Sequence, residues 1–377
     1  MVNLLGRSNV CVMQDIDDLV VPQDFRGLNS VVICDPRVAQ FHPKTCDKLA
    51  CLVNCIDFVV LARQEPKVIQ IEEVARRALN AGAEIVVSIG GGSTMDTGKG
   101  VSQLLHGRSS LPESFERPGT FEAVAPHIVF PTTAGPGAEV SPAMVFSNRN
   151  GQKIAVVDER LIPQHVVILP WLATTLPAFE TACCILDGVA HSIEGAVRPD
   201  CTPAAYVTSA LTLRGFLASM WTACEDPGDL AVRERLAMVS IWSGEALRMT
   251  GVGAAHALAS AVSEVVSRPH GAIVSTALVA VLTDELSNLD GNYWLEHLAT
   301  DVGFNGAKAL VSEITDYWRK FVRGGAESAR EPKQTDIARC VQLARADPRI
   351  ALHPSTIDTR RIERAIRSIL CTMQQVC

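Results

Sequence analysis

EIVVSIGGGSTMDTGKG, residues 84 to 100, holds the pattern on which the fold turns. Residues 84 to 89 form a short, apolar, β-branched run, which predicts a buried strand. Residues 94 to 105 carry helical spacing. Gly90, Gly91 and Gly92 therefore stand at a strand-to-helix turn. There bare backbone lets a phosphate approach, and the first helical amides point outward as donors. Ser93 is placed to cap that helix, and Asp96, three residues on, completes a capping-box-like pair. Lys99 lies one turn later. A tight turn with a good cap accounts for the same residues, and the run is neither GxGxxG nor a Walker A sequence.

Around this loop the first half alternates strand-like runs with helical patterns. SVVICD (30 to 35), DFVVLAR (57 to 63) and HIVFPTT (127 to 133) read as further buried strands, and KIAVVD and HVVILP add strand signals between 153 and 170. KVIQIEEVARRALNAG has helical spacing and a glycine stop. That rhythm predicts a parallel sheet with helices on its faces. After Pro177 strand-like runs almost vanish and helical spacing takes over. The expected organisation is an α/β dinucleotide-binding domain over residues 1–175 and an α-helical metal-binding domain over 176–377. Asp35 ends an early strand, where a carboxylate accepts bonds from an adenosine ribose and repels a 2′-phosphate. A solvated turn before Pro36 is the alternative reading.

The 377 residues suffice for two ordinary domains. At 47% hydrophobic and 20% charged the chain reads as globular, and a net charge of −7 without a Lys/Arg cluster argues against nucleic acid. The N-terminal stretch lacks the pattern of a secretory or transit peptide, and no apolar run reaches membrane-span length. The expectation is a cytoplasmic protein. None of the twelve cysteines forms a CxxC pair, so a disulfide framework is not expected. Cys46, Cys51 and Cys55 with His42 admit a zinc reading, but CLVNC also reads as one apolar face of a helix.

The helical half opens with FETACCILDGVAHSIEGAV. Asp187 and His191 are four apart and project from one helix face; Cys183 and Glu194 share it, each a spectator, a supporting group or a ligand. Further on, GVGAAHALASAVSEVVSRPHGAIVS places His256 and His270 in an otherwise apolar region. One carboxylate and three imidazoles suit Fe(II) or Zn(II) better than Mg or Ca. Spacing alone does not bring the two pairs together.

GGGSTMDTGK (90 to 99), PTTAGPGAEV (131 to 140), LPAFETACCILDGVAHSIEGAV (176 to 197) and HALASAVSEVVSRPHG (256 to 271) together resemble the iron-containing (group III) alcohol dehydrogenase family over nearly the whole chain. The resemblance implies a Rossmann-like N-terminal domain that binds NAD(P) and an all-α C-terminal domain, an architecture shared with dehydroquinate synthase. It implies Asp187, His191, His256 and His270 as ligands of Fe2+ or Zn2+. It implies Gly91, Gly92 and Ser93, with Asp96 beside them, as the pyrophosphate loop. Thr132 and Thr133 match nucleotide-contacting threonines, Lys153 matches a lysine near the nicotinamide half, and Asp35 falls where members preferring NAD carry Asp. There are departures. Ser260 stands where many members have a histidine four after the first ligand of the last pair. Pro136 interrupts a GTGSE-like turn, and Ile185 replaces a small residue.

The implied activity is hydride transfer between NAD(P) and a small alcohol or aldehyde, with the metal as Lewis acid. Homo-oligomers are expected by the same likeness. Arg198 and Arg268 raise an anionic substrate such as phosphonoacetaldehyde, or are merely surface arginines. The competing readings are a lyase or cyclase of the dehydroquinate synthase type, a metal-independent reductase resembling maleylacetate reductases, and a non-catalytic scaffold.

Overall fold

The computed structural model describes residues 2–4, 8–62, 65–106, 124–287, 293–323 and 332–373. Two compact units emerge. One comprises Met1–Thr133, Gly137–Leu176 and Gly228–Ala237; the other comprises Ala134–Pro136, Pro177–Pro227 and Met238–Cys377.

The first unit is built on strands β1 (Val2–Leu4), β2 (Ser8–Val12), β3 (Ser30–Cys34), β4 (Cys55–Val60), β5 (Ile85–Gly90), β6 (His127–Pro131) and β9 (His165–Ile168). Their order is β1-β2-β9-β6-β5-β3-β4. All neighbours run parallel except β1 and β2. The chain passes from β3 outward to β4, then returns across β3 to β5, so the order reverses between β3 and β5. In doubly wound sheets ligands bind beyond the strand ends at such a switch point. The residues leaving β3 and β5 there are Asp35 and the glycine loop.

The helices of this unit are α1 (Pro36–Phe41), α2 (Pro43–Leu52), α3 (Val68–Ala81) and α4 (Gly92–His106). Alternate side chains of β3 enter opposite cores. Val31 and Ile33 pack with Ile71, Val74 and Val101, while Val32 and Cys34 pack with Val38 and Leu49 on the other face. Gly82, at φ 81°, takes the left-handed conformation that ends α3.

Three features depart from the expected pattern. SNVCV forms β2, too polar and short to read as a strand, yet it pairs with β9. KIAVV is a strand, β8 (Lys153–Val157), but it leaves the parallel sheet and pairs antiparallel with β7 (Ala143–Ser147). CLVNC is no single helix face: α2 ends at Leu52, Asn54 turns the chain at φ 49°, and Cys55 already begins β4.

From residue 177 onward no strand occurs among the described residues. The helices are α5 (Ala178–Val197), α6 (Pro203–Leu217), α7 (Met220–Glu225), α8 (Leu230–Thr250) and α9 (Ala254–Ser263). After them come α10 (His270–Ser287), α11 (Tyr293–Asp301), α12 (Ala307–Trp318), α13 (Gln334–Ala346) and α14 (Thr359–Met373). From Thr181 to Ala196 nearly every residue of α5 is buried. A helix apolar around most of its girth must sit inside other helices, and α5 packs against α6 and α10 while α9 packs against α10. The apolar run AIVSTALVAVLT lies within α10 and is a core helix. Among the described residues no helix is long and apolar enough to cross a membrane.

Candidate metal centre and glycine-rich loop

Burial of α5 carries Asp187, His191 and Glu194 into the interior, since one helix face presents all three. His256 lies in the first turn of α9 and is buried; His270 opens α10 and is exposed. Ligand atoms of Asp187, His256 and His270 come within 4.8 Å of one another. His191 completes the wall, its Nε2 3.5 Å from Asp187 Oδ1 and its ring centroid 4.5 Å from that of His256. The two sequence-distant pairs thus meet. No other such cluster of histidine, cysteine and carboxylate occurs among the described residues.

Glu194 does not join this set of atoms. Its Oε2 lies 2.5 Å from His256 Nδ1, while Oε1 accepts from the backbone amides of Ala255 (2.5 Å) and His256 (3.2 Å). One carboxylate therefore caps the start of α9 and orients the imidazole. With Nδ1–H given to Glu194, Nε2 is the nitrogen facing Asp187 Oδ1, at 3.2 Å, and it donates its proton there until a metal takes its place. That is the usual device by which an outer carboxylate fixes the tautomer of a ligating histidine. Cys183, one turn before Asp187, is buried, and burial pushes its thiol well above the ordinary range, so it stays a neutral apolar filler.

The electrostatics follow from packing acids and bases together without water. Burial opposes ionisation of Asp187, but the hydrogen bond with His256 and the three surrounding imidazoles outweigh it and hold the carboxyl far below its usual range. Burial likewise opposes charge on His256, yet Glu194 and Asp187 raise it to about 9. His191 goes the other way, to about 4, through burial and then the charge on His256. Its Nδ1 is buried without a hydrogen-bond partner. An ionised carboxylate beside imidazoles is the donor set of a transition-metal site, and a bound ion would displace the Nε2 proton of His256, the one charged imidazole of the group near neutral pH. The residues present fit such an ion.

At the other candidate site α4 begins at Gly92, with the amides of Thr94 and Met95 both donating to Gly91 O at 3.0 Å. Ser93 is therefore inside the helix and not its cap, and its side chain is exposed. Asp96 completes no capping box: its carboxylate accepts from Val145 N on β7 at 3.0 Å. The reason is the early helix start, which turns Asp96 toward the hairpin. A Cβ on Gly91 would come 2.9 Å from the Thr133 methyl, so the loop closes against the end of β6 only as glycine. Thr132 N donates to Gly90 O at 3.1 Å, and the Asp35 Cβ lies 3.0 Å from where a Gly90 Cβ would stand. Asp35, Gly91, Gly92, Ser93, Thr132 and Thr133 thus share one corner at the strand ends. Asp35 also caps α1 through Arg37 N at 2.8 Å.

Two lysines sit differently. Lys153 projects from β8 and pairs with Glu65 at 2.8 Å; its hydrogen bond runs there and not to the glycine loop. Lys99 is fully buried, donating to the carbonyls of Ala138, Ala143 and Ser141 at 2.7–2.9 Å, with Asp96 3.7 Å away. Burial pulls its pKa down. It ties α4 to the segment after β6 and is no phosphate ligand. The cysteine cluster dissolves too: Cys46 Sγ lies 3.8 Å from Cys34 Sγ, Cys51 is exposed, and all described cysteines are free.

An α/β unit with a glycine turn at its switch point, together with a helical unit holding a carboxylate–imidazole cluster, defines the class. The iron-containing alcohol dehydrogenase family matches residues 15–170, and its C-terminal domain family matches residues 181–370. The chain belongs to this family. The sulfoacetaldehyde reductase of Bilophila wadsworthia (strain 3_1_6) is 26% identical over 259 residues, 67% of this chain and 66% of that enzyme. The NAD-dependent methanol dehydrogenase of Bacillus methanolicus is 24% identical over 323 residues, 82% and 83% of the two chains. Among solved structures, sulfoacetaldehyde reductase from Bifidobacterium kashiwanohense in complex with NAD+ superposes with a TM-score of 0.83 at 20% identity, covering 97% of both chains.

Proposed function

We propose that the chain is a metal-dependent, NAD(P)-linked alcohol dehydrogenase or aldehyde reductase acting on a small alcohol or aldehyde. The observation that carries this is the approach of Asp187, His256 and His270 within 4.8 Å, with His191 against them. These four would hold Fe2+ or Zn2+, whose chemistry when bound is Lewis-acid polarisation of the substrate oxygen. Asp187 supplies the anionic ligand, and Glu194, holding the Nδ1 proton, leaves Nε2 of His256 as the nitrogen for the metal.

Gly91, Gly92 and the first amides of α4 would receive the dinucleotide pyrophosphate, with Ser93 exposed beside them and Thr132 and Thr133 on the adjoining wall. Asp35 would meet the adenosine ribose and so favours NAD over NADP. In this reading Asp96 holds β7, and Lys153 reaches the nicotinamide half only by leaving Glu65. The free cysteines suit a reducing cytoplasm, and exposed Ile56 and Val60 on edge strand β4 suit a homo-oligomer contact.

The dehydroquinate synthase type uses a glutamate ligand, and here the available glutamate is engaged with His256 Nδ1. Anaerobic purification, metal analysis and an aldehyde panel with NADH and NADPH test the proposal. Stoichiometric iron or zinc with chelator-sensitive turnover is expected. Metal-free protein with full reductase activity would favour the maleylacetate reductase type. Intact metal with no turnover of any aldehyde or alcohol would favour a scaffold.

A further inference from the structure

The arginines that flank the metal segments are engaged elsewhere. Arg198 makes a paired contact with Asp200 at 2.8 Å, and Arg268 Nη2 reaches the carbonyl of Met373 at 3.4 Å. A third arginine, distant in sequence, arrives beside the metal helix instead. Ser260 lies one turn beyond His256 on α9, and its hydroxyl donates to His256 O at 2.8 Å. The same hydroxyl accepts from Arg349 Nη2 at 3.0 Å.

Arg349 sits in the short 3-10 turn Pro348–Leu352, which Asp347 caps by accepting from Arg349 N at 2.9 Å. The Asp347 carboxylate also takes Arg349 Nε at 2.9 and 3.1 Å and Nη2 at 2.5 Å. Nε and Nη2 are thus fixed between Asp347 and Ser260, and the plane of the guanidinium is set. Among the described residues no hydrogen bond holds Nη1, and 31% of the side chain is exposed. A rigid guanidinium edge with two free N–H donors is built to meet a planar or tetrahedral anion. Ser260 follows His256 by four residues, a rise of about 6 Å, so both project from one face of α9. The guanidinium that Ser260 holds therefore stands along the helix face that carries His256, one turn on from the cluster.

Resting on the function proposed above, we infer that Arg349 is a specificity-determining residue. It selects short aldehydes bearing a sulfonate, phosphonate or carboxylate, with the carbonyl at the Asp187–His256–His270 cluster and the anion on Arg349 Nη1. Ser260, where a bulkier side chain would fill the space, leaves room for the guanidinium and tethers it.

The test is steady-state kinetics of metal-loaded enzyme with NADH on sulfoacetaldehyde, phosphonoacetaldehyde and neutral propanal. Wild type is expected to prefer the anionic substrates. Arg349→Met should lower kcat/KM for them roughly 10- to 100-fold, as loss of a hydrogen bond to a charged group implies, chiefly through KM. Propanal turnover, metal content and NADH affinity should stay within about twofold. Arg349→Lys should restore part of the loss, and Ser260→Ala, which keeps the charge but frees it, should give a smaller one. Equal loss on propanal and the anions, or no loss on either, overturns the assignment while leaving the dehydrogenase reading intact. No turnover of any aldehyde by wild type overturns that reading, and this inference with it.

Discussion

Removing the Glu194 carboxylate separates two jobs that one side chain performs. Glu194→Ala takes away three hydrogen bonds: one to His256 Nδ1 and two to the amides that open α9. It leaves those amides buried and unpaired, and it frees the imidazole to rotate and to change tautomer. Breaking one partner of a buried charged network costs about 3–5 kcal/mol, so the apo protein should lose stability on that scale. Loss of the outer carboxylate should also weaken metal binding about 10- to 100-fold, or roughly 1.4–2.8 kcal/mol. Glu194→Gln is the sharper probe. Its carbonyl oxygen can keep accepting from Ala255 N and His256 N, so α9 stays capped. Its NH2 then faces His256 Nδ1, which must accept, and the imidazole proton moves to Nε2 on the metal side. The expected result is an apo stability near wild type in urea and a Zn2+ affinity reduced at least tenfold, measured by competition with a chromophoric chelator. A Gln variant with wild-type affinity would refute the tautomer argument. A Gln variant as unstable as the Ala variant would show that α9 depends on the charge and not on the acceptor.

Lys99→Met removes a buried cation from three carbonyls and strands Asp96; the urea midpoint should fall by the equivalent of about 3–5 kcal/mol, with weaker NADH binding, and an unchanged midpoint would mean that Lys99 holds nothing. Burial, aided by the Lys99 charge, drops the buried His127 imidazole from 6.5 to about 3. The unfolded imidazole takes a proton near 6.5 and the folded one does not, so this contribution is complete above 6.5 and is lost as pH falls toward 3. Between pH 7 and 5 it removes about 2 kcal/mol, and apo His127→Gln should show a stability–pH slope shallower than wild type by that amount. Identical slopes in urea unfolding would exclude His127 as the source. Asp35→Ser keeps a cap for α1 but removes the carboxylate; the NADPH/NADH ratio of kcat/KM should rise roughly tenfold, and an unmoved ratio would place the ribose elsewhere.

The alternation of strands and helices was legible because a parallel sheet buried on both faces needs short apolar runs, and β3, β5 and β6 supply them plainly. SNVCV was not legible, because a short strand with polar residues is defined by its partner β9 and not by its own pattern. Asp187 and His191 could be read as a pair, since helical periodicity puts them on one face, whereas His256 and His270 stood out only as histidines in an apolar region. The meeting of all four could not be read, because it depends on how α9 and α10 pack on α5. Glu194 was visible on the same face as Asp187, but nothing in sequence turns it toward α9 instead of the metal side. The amides of Ala255 and His256 decide that: a buried helix start presents N–H donors with no acceptor of its own, and the Glu194 carboxylate supplies one. The same rule explains the misreading of Ser93 and Asp96. Two polar residues three apart look like a reciprocal cap, yet Gly91 O already receives Thr94 and Met95, so Asp96 is released to the next unpaired amide, Val145 on β7. Arg349 lay beyond any sequence signal for a related reason. Its orientation is set by Asp347 and Ser260 jointly, 87 residues apart in number and adjacent only once the 3-10 turn docks on α9. Local spacing thus names which residue types carry chemistry, whereas the demand that every buried donor find an acceptor decides which way each one points.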